Sequence, residues 1–456
     1  MSRTSVRGKT VYGCTECGAQ APRWLGRCQE CGAWSSLVEE RVASSGPARR
    51  SSGGTGAPEA VVALMDVDPI LAKGRPSGVA ELDRVLGGGL VAGSVTLLGG
   101  EPGIGKSTLL LQSLGRMAAA GAKCLLVSAE ESKEQVRLRA ERLDALHPNV
   151  LVVAETSLPA VLDRIAEVAP DVLAVDSIQT LLDPELNGIP GSVGQVRECA
   201  HRLVRAAKER AMATVLVGHV TKDGSLAGPR ALEHIVDTVL AFEGDRHHSL
   251  RMLHALKHRF GTTNELGVFE MTEAGMNEVG DPSSLFLADR RCGLPGSVVT
   301  ATMEGVRPLL VEVQALLAST PAPAPRRSAR GLDGGRLDLI LAVLHARIGR
   351  PVNSYDVYAS VAGGLKVHDA GADLAVALAV ASALNGEALP DGIVAIGEVG
   401  LGGELRQPAQ TARRLHEAAR MGFHTAIVPA STPEIDGIRL LRAEALADVM
   451  ERFDLA

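Results

Sequence analysis

Between about residues 76 and 280, short runs rich in Val, Leu and Ile alternate with longer segments whose apolar positions recur every three or four residues. SVTLLGG, CLLVSAEE, DVLAVDS and ATVLVGH read as strands, and KSTLLLQSLGRMAAAG, directly after the first, reads as a helix. Continuous apolar runs belong to strands buried on both faces, so the pattern predicts a parallel sheet covered by helices. Further along, GSVVTATM, LLVEVQAL, GIVAIGEVG and TAIVP read as strands, with helices near 371–384 and 408–421. PAPAPRRSAR at 321–330 interrupts this second set. It reads as a loop, because the strand before it needs partners from the segment after it; a domain boundary is the other reading.

Outside these patterned regions the chain changes character. Residues 43–58, ASSGPARRSSGGTGAP, have the Gly/Ser/Pro composition of a flexible linker. Four parts are therefore expected: a small module over 1–42, a linker over 43–75, an α/β domain over 76–280 and a second over 281–456. Apolar residues make up 46% of the 456, enough for several cores. The formal net charge of −6 excludes a global basic field, so any nucleic-acid contact must be local. Aromatics at 2% argue against a broad stacking surface. The start lacks the apolar run of a secretory signal, and the greasiest stretch, Leu374 to Ala381, falls far short of the roughly 20 residues that cross a bilayer. A cytoplasmic protein with no membrane contact is expected.

Four of seven cysteines cluster, as Cys14-x2-Cys17 and Cys28-x2-Cys31. Each C-x2-C turn presents two sulfurs to one ion, so the four thiolates predict tetrahedral Zn²⁺ in preference to disulfides or free thiols. A fully thiolate-bound ion has no open position and is structural. Trp24 and Trp34 beside the knuckles read first as packing and second as base-stacking rings. Cys124, Cys199 and Cys292 read as ordinary core residues.

The chemistry concentrates at strand ends. Gly100, Glu101, Pro102, Gly103, Ile104, Gly105, Lys106, Ser107 and Thr108 match the phosphate-binding pattern G-x-x-x-x-G-K-[ST], with a strand before and a helix after. Backbone N–H groups there can curl around the phosphates of ATP, Lys106 can reach the β- and γ-phosphates, and Ser107 can hold Mg²⁺. Asp176, closing DVLAVDS, would bring a carboxylate to that magnesium, unless it is a turn aspartate. Glu130 is the candidate base for an attacking water, with Glu131 in reserve; either could instead cap the next helix. His219, ending ATVLVGH, is a γ-phosphate sensor or a structural histidine.

GEPGIGKST, SAEES, LAVDS, VGHVTKDG with AGPRALEH, KHRFG and the leading four-cysteine finger together resemble the RadA (Sms) family of bacterial DNA repair proteins, RecA-like ATPases. The resemblance spans nearly the whole chain. It implies an α/β architecture of zinc finger, RecA-like P-loop core and a C-terminal domain similar to the Lon protease domain, serving as scaffold and DNA-binding surface. It also implies branch migration or helicase-like work on recombination intermediates, with single-stranded and branched DNA, RecA recombinase, and a homo-oligomeric ring, a hexamer, as partners. Lys257 and Arg259 of the K-x-R-F-G signature would then touch the γ-phosphate held by a neighbouring subunit, and could respond to DNA as well. His258 stands where many members have asparagine. Arg197, Lys222 and Arg230, in loops corresponding to the DNA-facing ones, become candidate phosphate contacts, with solvation and helix capping as the other account.

A Lon-type Ser–Lys peptidase is the rival class. In VHDAGADLAVALA neither Gly371 nor Ala372 carries a hydroxyl, and Leu405 or Arg406 stands where a lysine base belongs. Ser382 and Lys366 do not fit the pattern. Arg326, Arg327 and Arg330 read as a basic patch or a solvated loop.

Overall fold

The computed structural model describes residues 9–14, 20–30, 32, 34, 36–42, 63, 65, 73–186, 188–219, 230–244, 249–322 and 324–455. They fall into two compact units, 1–278 and 279–456.

In the first unit, β1 (Lys9–Cys14), β2 (Gln20–Ala21) and β3 (Leu37–Val42) form a small antiparallel sheet of order β2-β1-β3. A short pair, β4 (Gly74–Arg75) and β5 (Leu90–Val91), flanks helix α1 (Ala80–Val85). The main sheet then begins with β6 (Val95–Gly100), which runs through the phosphate loop into α2 (Lys106–Ala119). It continues with β7 (Cys124–Ser128), α3 (Lys133–Arg142), β8 (Val150–Ala154), α4 (Leu158–Val168), β9 (Val172–Asp176), α5 (Val193–Glu209), β10 (Ala213–His219), α6 (Arg230–Glu233) and β11 (Thr238–Glu243). Three further strands, β12 (Leu250–His258), β13 (Leu266–Thr272) and β14 (Gly275–Glu278), complete it.

The strand order is β14-β13-β12-β11-β6-β10-β9-β7-β8. From β8 to β11 every pairing is parallel, which matches the apolar runs of the sequence. Alternate residues feed two cores: Val95, Leu97, Leu173 and Val175 pack with α4 and α5 residues, whereas Leu98, Val172, Ala174 and Leu240 pack with α2. The parallel sheet expected from the sequence is extended at β12 to β14 by strands that pair antiparallel. Their short connections permit hairpins, and no crossover helix is needed. This reversal decides where Lys257 and Arg259 lie.

The second unit holds a seven-stranded sheet of order β17-β18-β16-β15-β19-β22-β23. Its strands are β15 (Ser297–Glu304), β16 (Arg307–Ser319), β17 (Arg327–Arg330), β18 (Tyr355–Val361), β19 (Ile393–Ala395), β22 (Thr425–Pro429) and β23 (Arg439–Ala443), with β20 (Glu398–Val399) and β21 (Leu405–Arg406) as a separate pair. Its helices are α7 (Pro282–Leu287), α8 (Gly334–Ile348), α9 (Asp373–Asn385), α10 (Thr411–Arg420) and α11 (Leu446–Arg452). Helix α9 is apolar all round because residues from Asp373 to Ser382 are all buried. The long strand β16 takes β18, from beyond the Pro/Arg-rich stretch, as its partner. That stretch is not only a loop: its end, β17, adds a parallel edge strand. Arg327 is no free patch residue, since its guanidinium donates to the carbonyls of Val352 and Tyr355 at 3.3 and 3.0 Å; Arg326 and Arg330 are exposed.

Cys124 and Cys199 are buried as expected, with burial pushing their thiols up to about 12 and about 11, while Cys292 is exposed. Among the described residues no helix is long and apolar enough to cross a membrane.

Where the rival class would need its nucleophile, a Cβ on Gly371 would meet the Arg414 guanidinium at 2.8 Å. Arg414 is 2% exposed, pairs with Asp369, and donates to the carbonyls of Ala301 at 2.6 Å and Ala409 at 3.0 Å. Removing one partner of such a pair strands a buried charge. Arg414→Ala is therefore expected to lower the unfolding free energy by about 3 kcal/mol in urea titration. Arg406→Ala, which breaks an exposed pair with Glu404, should leave the midpoint unmoved.

Candidate active site

The phosphate loop turns at the carboxyl edge of the parallel strands, where ligands bind in such sheets. Gly105 caps α2 at φ 116°, and a Cβ there would lie 2.3 Å from the Met276 side chain and 2.6 Å from that of Met271. Gly100 is equally constrained, since its Cβ would meet the Phe242 carbonyl oxygen at 2.7 Å. Only glycine gives the loop this path. Arg251, buried on β12, donates through Nε to the Ile104 carbonyl at 3.2 Å and braces the loop from the side.

Lys106 is 5% exposed, and its ammonium donates to the carbonyls of Gly100 at 2.8 Å and Glu101 at 2.9 Å. Burial pulls it below the ordinary amine value, and the charges of Asp176 and Glu130 push back. Burial likewise raises Asp176 above the usual carboxylate range, while a hydrogen bond from Ser107 lowers it. Ser107 and Asp176 thus meet across the loop, a hydroxyl and a carboxylate suited to a hard divalent cation. Asp176 stands at the end of β9, opposite Ser128 of β7, and Ser107 stands in the first turn of α2.

The two glutamates after β7 part company. Glu130 accepts a hydrogen bond from Ser177 at 2.5 Å and its charge is felt at Lys106 and Asp176. Glu131 is engaged in an ion pair with Arg139. Neither caps α3, because Ser132 does so, accepting from the Gln135 N–H while Gln135 accepts from the Ser132 N–H. Sequence reading missed Gln179, just past β9, whose amide nitrogen and oxygen are buried with no hydrogen-bond partner among the described residues. It lies near the end of β10, where a Cβ on Gly218 would be 3.5 Å from its nitrogen. A lone glutamine gives no motif by which to find it.

Lys257 and Arg259 lie elsewhere. Because β12 is antiparallel, His258 pairs with Thr238 and Lys257 with Val239, level with Thr96 and Leu97 near the start of β6. The phosphate loop leaves from the other end of that strand. Lys257 donates to the carbonyls of Glu233 at 2.6 Å and Val236 at 2.8 Å; burial, then the neighbouring Arg259 charge, lowers its affinity for a proton. Arg259 is half exposed and pairs at 3.1 Å with buried Asp237, whose other oxygen accepts from the Val95 N–H at 3.0 Å. Phe260, 45% exposed, meets the His258 ring edge-on.

Of the other candidates, His219 ends β10 at the phosphate-loop edge and Arg197 is exposed on α5. Arg230 begins α6; Lys222 lies outside the described residues. In the ribbon, Cys14 and Cys28 are buried in one cluster with Leu37, and the second knuckle closes with Gly32 N–H donating to the Cys28 carbonyl at 3.0 Å. Two converging buried thiols fit a thiolate-held metal; Cys17 and Cys31 lie outside the described residues. Trp24 and Trp34 are exposed, which corrects their reading as packing residues.

Fold and site together define a P-loop ATPase of RecA-like architecture that carries an N-terminal metal-binding ribbon. The family model described as KaiC, an ATPase, matches residues 75–149, and that described as Rubredoxin metal binding domain matches residues 12–39. DNA repair protein RadA of Mycolicibacterium smegmatis is 48% identical over 97% of this chain and 96% of its own length. The proteins of that name from Pseudomonas aeruginosa and Bacillus subtilis are 49% and 44% identical, over 93% and 95% of this chain and 93% and 94% of theirs. The chain belongs to the DNA repair protein RadA family.

The two glutamates have different partners, Ser177 for Glu130 and Arg139 for Glu131. Glu130→Gln should cut the rate of ATP hydrolysis by about 10²–10⁴ while leaving nucleotide binding intact, and Glu131→Gln should change it by no more than about fivefold. Steady-state phosphate release and binding of a fluorescent ATP analogue measure the two effects.

Proposed function

We propose that this chain is a DNA-dependent ATPase of recombinational repair, which processes branched intermediates as a homo-oligomeric ring, a hexamer, in partnership with RecA recombinase. The observation that carries this reading is the separation of Lys257 and Arg259 from the phosphate loop of their own chain, at opposite ends of the parallel strands. Cations placed so can serve the γ-phosphate of a loop-bound ATP only when a second copy supplies it.

Within one site, the loop amides and Lys106 hold the β- and γ-phosphates, and Ser107 with Asp176 would hold magnesium. That ion, when bound, neutralises phosphate charge. Glu130, oriented by the Ser177 hydroxyl, orients the attacking water and takes its proton. Lys257 and Arg259 from the adjoining subunit stabilise the charge that grows on the transferred group, a contribution of about 10³–10⁵ in rate for a trans arginine. His219, at the loop edge, senses the γ-phosphate.

DNA enters through backbone contacts from Arg197, Lys222 and Arg230. Helix α6 begins at Arg230, and Lys257 holds the carbonyls of Glu233, its last residue, and Val236, just beyond it. Displacement of that segment by a bound strand is therefore felt at the trans cations. Cys14, Cys17, Cys28 and Cys31 hold structural zinc. The second unit is a scaffold with added DNA contacts; Gly371 and Ala372 offer no nucleophile to a peptidase.

Trans action has a signature that cis action lacks. Lys106→Ala and Arg259→Ala proteins should each be nearly inactive, yet mixing them equally should restore about a quarter of the DNA-stimulated hydrolysis, since random assembly joins an intact loop to an intact arginine at that fraction of seams. A mixture no more active than its components contradicts the reading.

A further inference from the structure

We propose that Trp24 and Trp34 form a stacking platform on the ribbon for unpaired bases of single-stranded DNA. The inference rests on the DNA-dependent reading above and adds a site to it.

These are the only two tryptophans of the 456 residues, and they are 57% and 74% exposed. Tryptophan offers one of the largest apolar surfaces a side chain can bury, so leaving both in water forfeits stabilisation that a small module needs. The two rings are also together. A Cβ on Gly26 would lie 3.8 Å from Trp24 Cη2 and 3.9 Å from Trp34 Cζ3, so both rings border the same patch of surface.

The patch is held in shape. Arg27 and Trp34 pair across an isolated antiparallel bridge, and the Arg27 guanidinium donates through Nε to the Gly32 carbonyl at 2.8 Å. That anchor keeps the guanidinium carbon 5.8 Å from the centre of the Trp34 ring, a cation–π arrangement over one face of a ring that stays largely exposed.

Charge selects the occupant. Residues 18–27, GAQAPRWLGR, carry Arg23 and Arg27 and no carboxylate, and Arg23 is exposed beside Trp24. Rings for bases next to cations for phosphates are the two elements of sequence-tolerant single-strand binding, because every base has a π-face. Duplex bases already stack on one another and do not offer theirs.

The test uses the full-length protein, whose tryptophan fluorescence comes entirely from this pair. Titration with an oligothymidylate of about 20 nucleotides should quench it saturably, and Trp34→Ala or Trp24→Ala should raise Kd roughly tenfold, with zinc content unchanged and Trp34→Phe recovering most of the affinity. Anisotropy of a dye-labelled copy of the same oligonucleotide reads binding independently. Binding by anisotropy with unmoved tryptophan emission and unaltered affinity in both alanine variants overturns the platform and leaves the DNA-dependent ATPase standing. No binding by either readout overturns both.

Discussion

The structure depends on one reversal of strand direction. Six parallel strands gather the phosphate loop, Glu130, Asp176 and the end of β10 at their carboxyl edge, each delivered by an apolar run that must be buried on both faces. Once β12 turns antiparallel beside β11, residues at its end are carried to the other edge. Lys257 and Arg259 are anchored there through Val236 and Asp237, and Asp237 in turn holds the first amide of β6. The strand that presents the distant cations is also the one from which Arg251 braces the Ile104 carbonyl of the chain's own loop. One strand therefore runs from the chain's own nucleotide loop, at Arg251, to Lys257 at the opposite edge.

Charge in this protein is kept inside only where geometry satisfies it. Lys106 is buried at the loop and Asp176 partly buried at the end of β9, with opposite shifts from the same desolvation, so each gains from the other's charge. In the second unit Arg414 with Asp369, and Arg336 with Asp373, occupy the start of the buried helix α9. Their carboxylates, Asp369 and Asp373, flank Gly371 and Ala372, neither of which carries a hydroxyl.

Much of this was legible in the residues. The phosphate loop and its flanking strand and helix are local, and the apolar runs ending in Asp176 and His219 announce parallel strands. The antiparallel extension was not visible, because LRMLHALKH breaks the apolar/polar alternation at Met252–Leu253 and Ala255–Leu256, and a buried Arg251 takes an inward position; direction is set by the short hairpin connections. Which glutamate can act was likewise undetermined from sequence: both charges reach Asp176, but Arg139, nearly two turns into α3, pairs with Glu131, whereas Glu130 accepts from Ser177. RSAR hid as an edge strand behind prolines, since an edge needs partners on one side only. The tryptophans were misjudged because hydrophobic residues are buried by default, and a two-knuckle ribbon has too little interior to hold them.

The central claim is that each ATP is held at a seam between two chains. An image of the assembled particle with a non-hydrolysable ATP analogue and single-stranded DNA tests it most directly. The account predicts Lys257 Nζ and an Arg259 guanidinium nitrogen of one subunit within about 4 Å of the γ-phosphate bound at Lys106 of the next. A catalytically active single protomer, or a ring in which those two side chains lie far from every nucleotide, would contradict it.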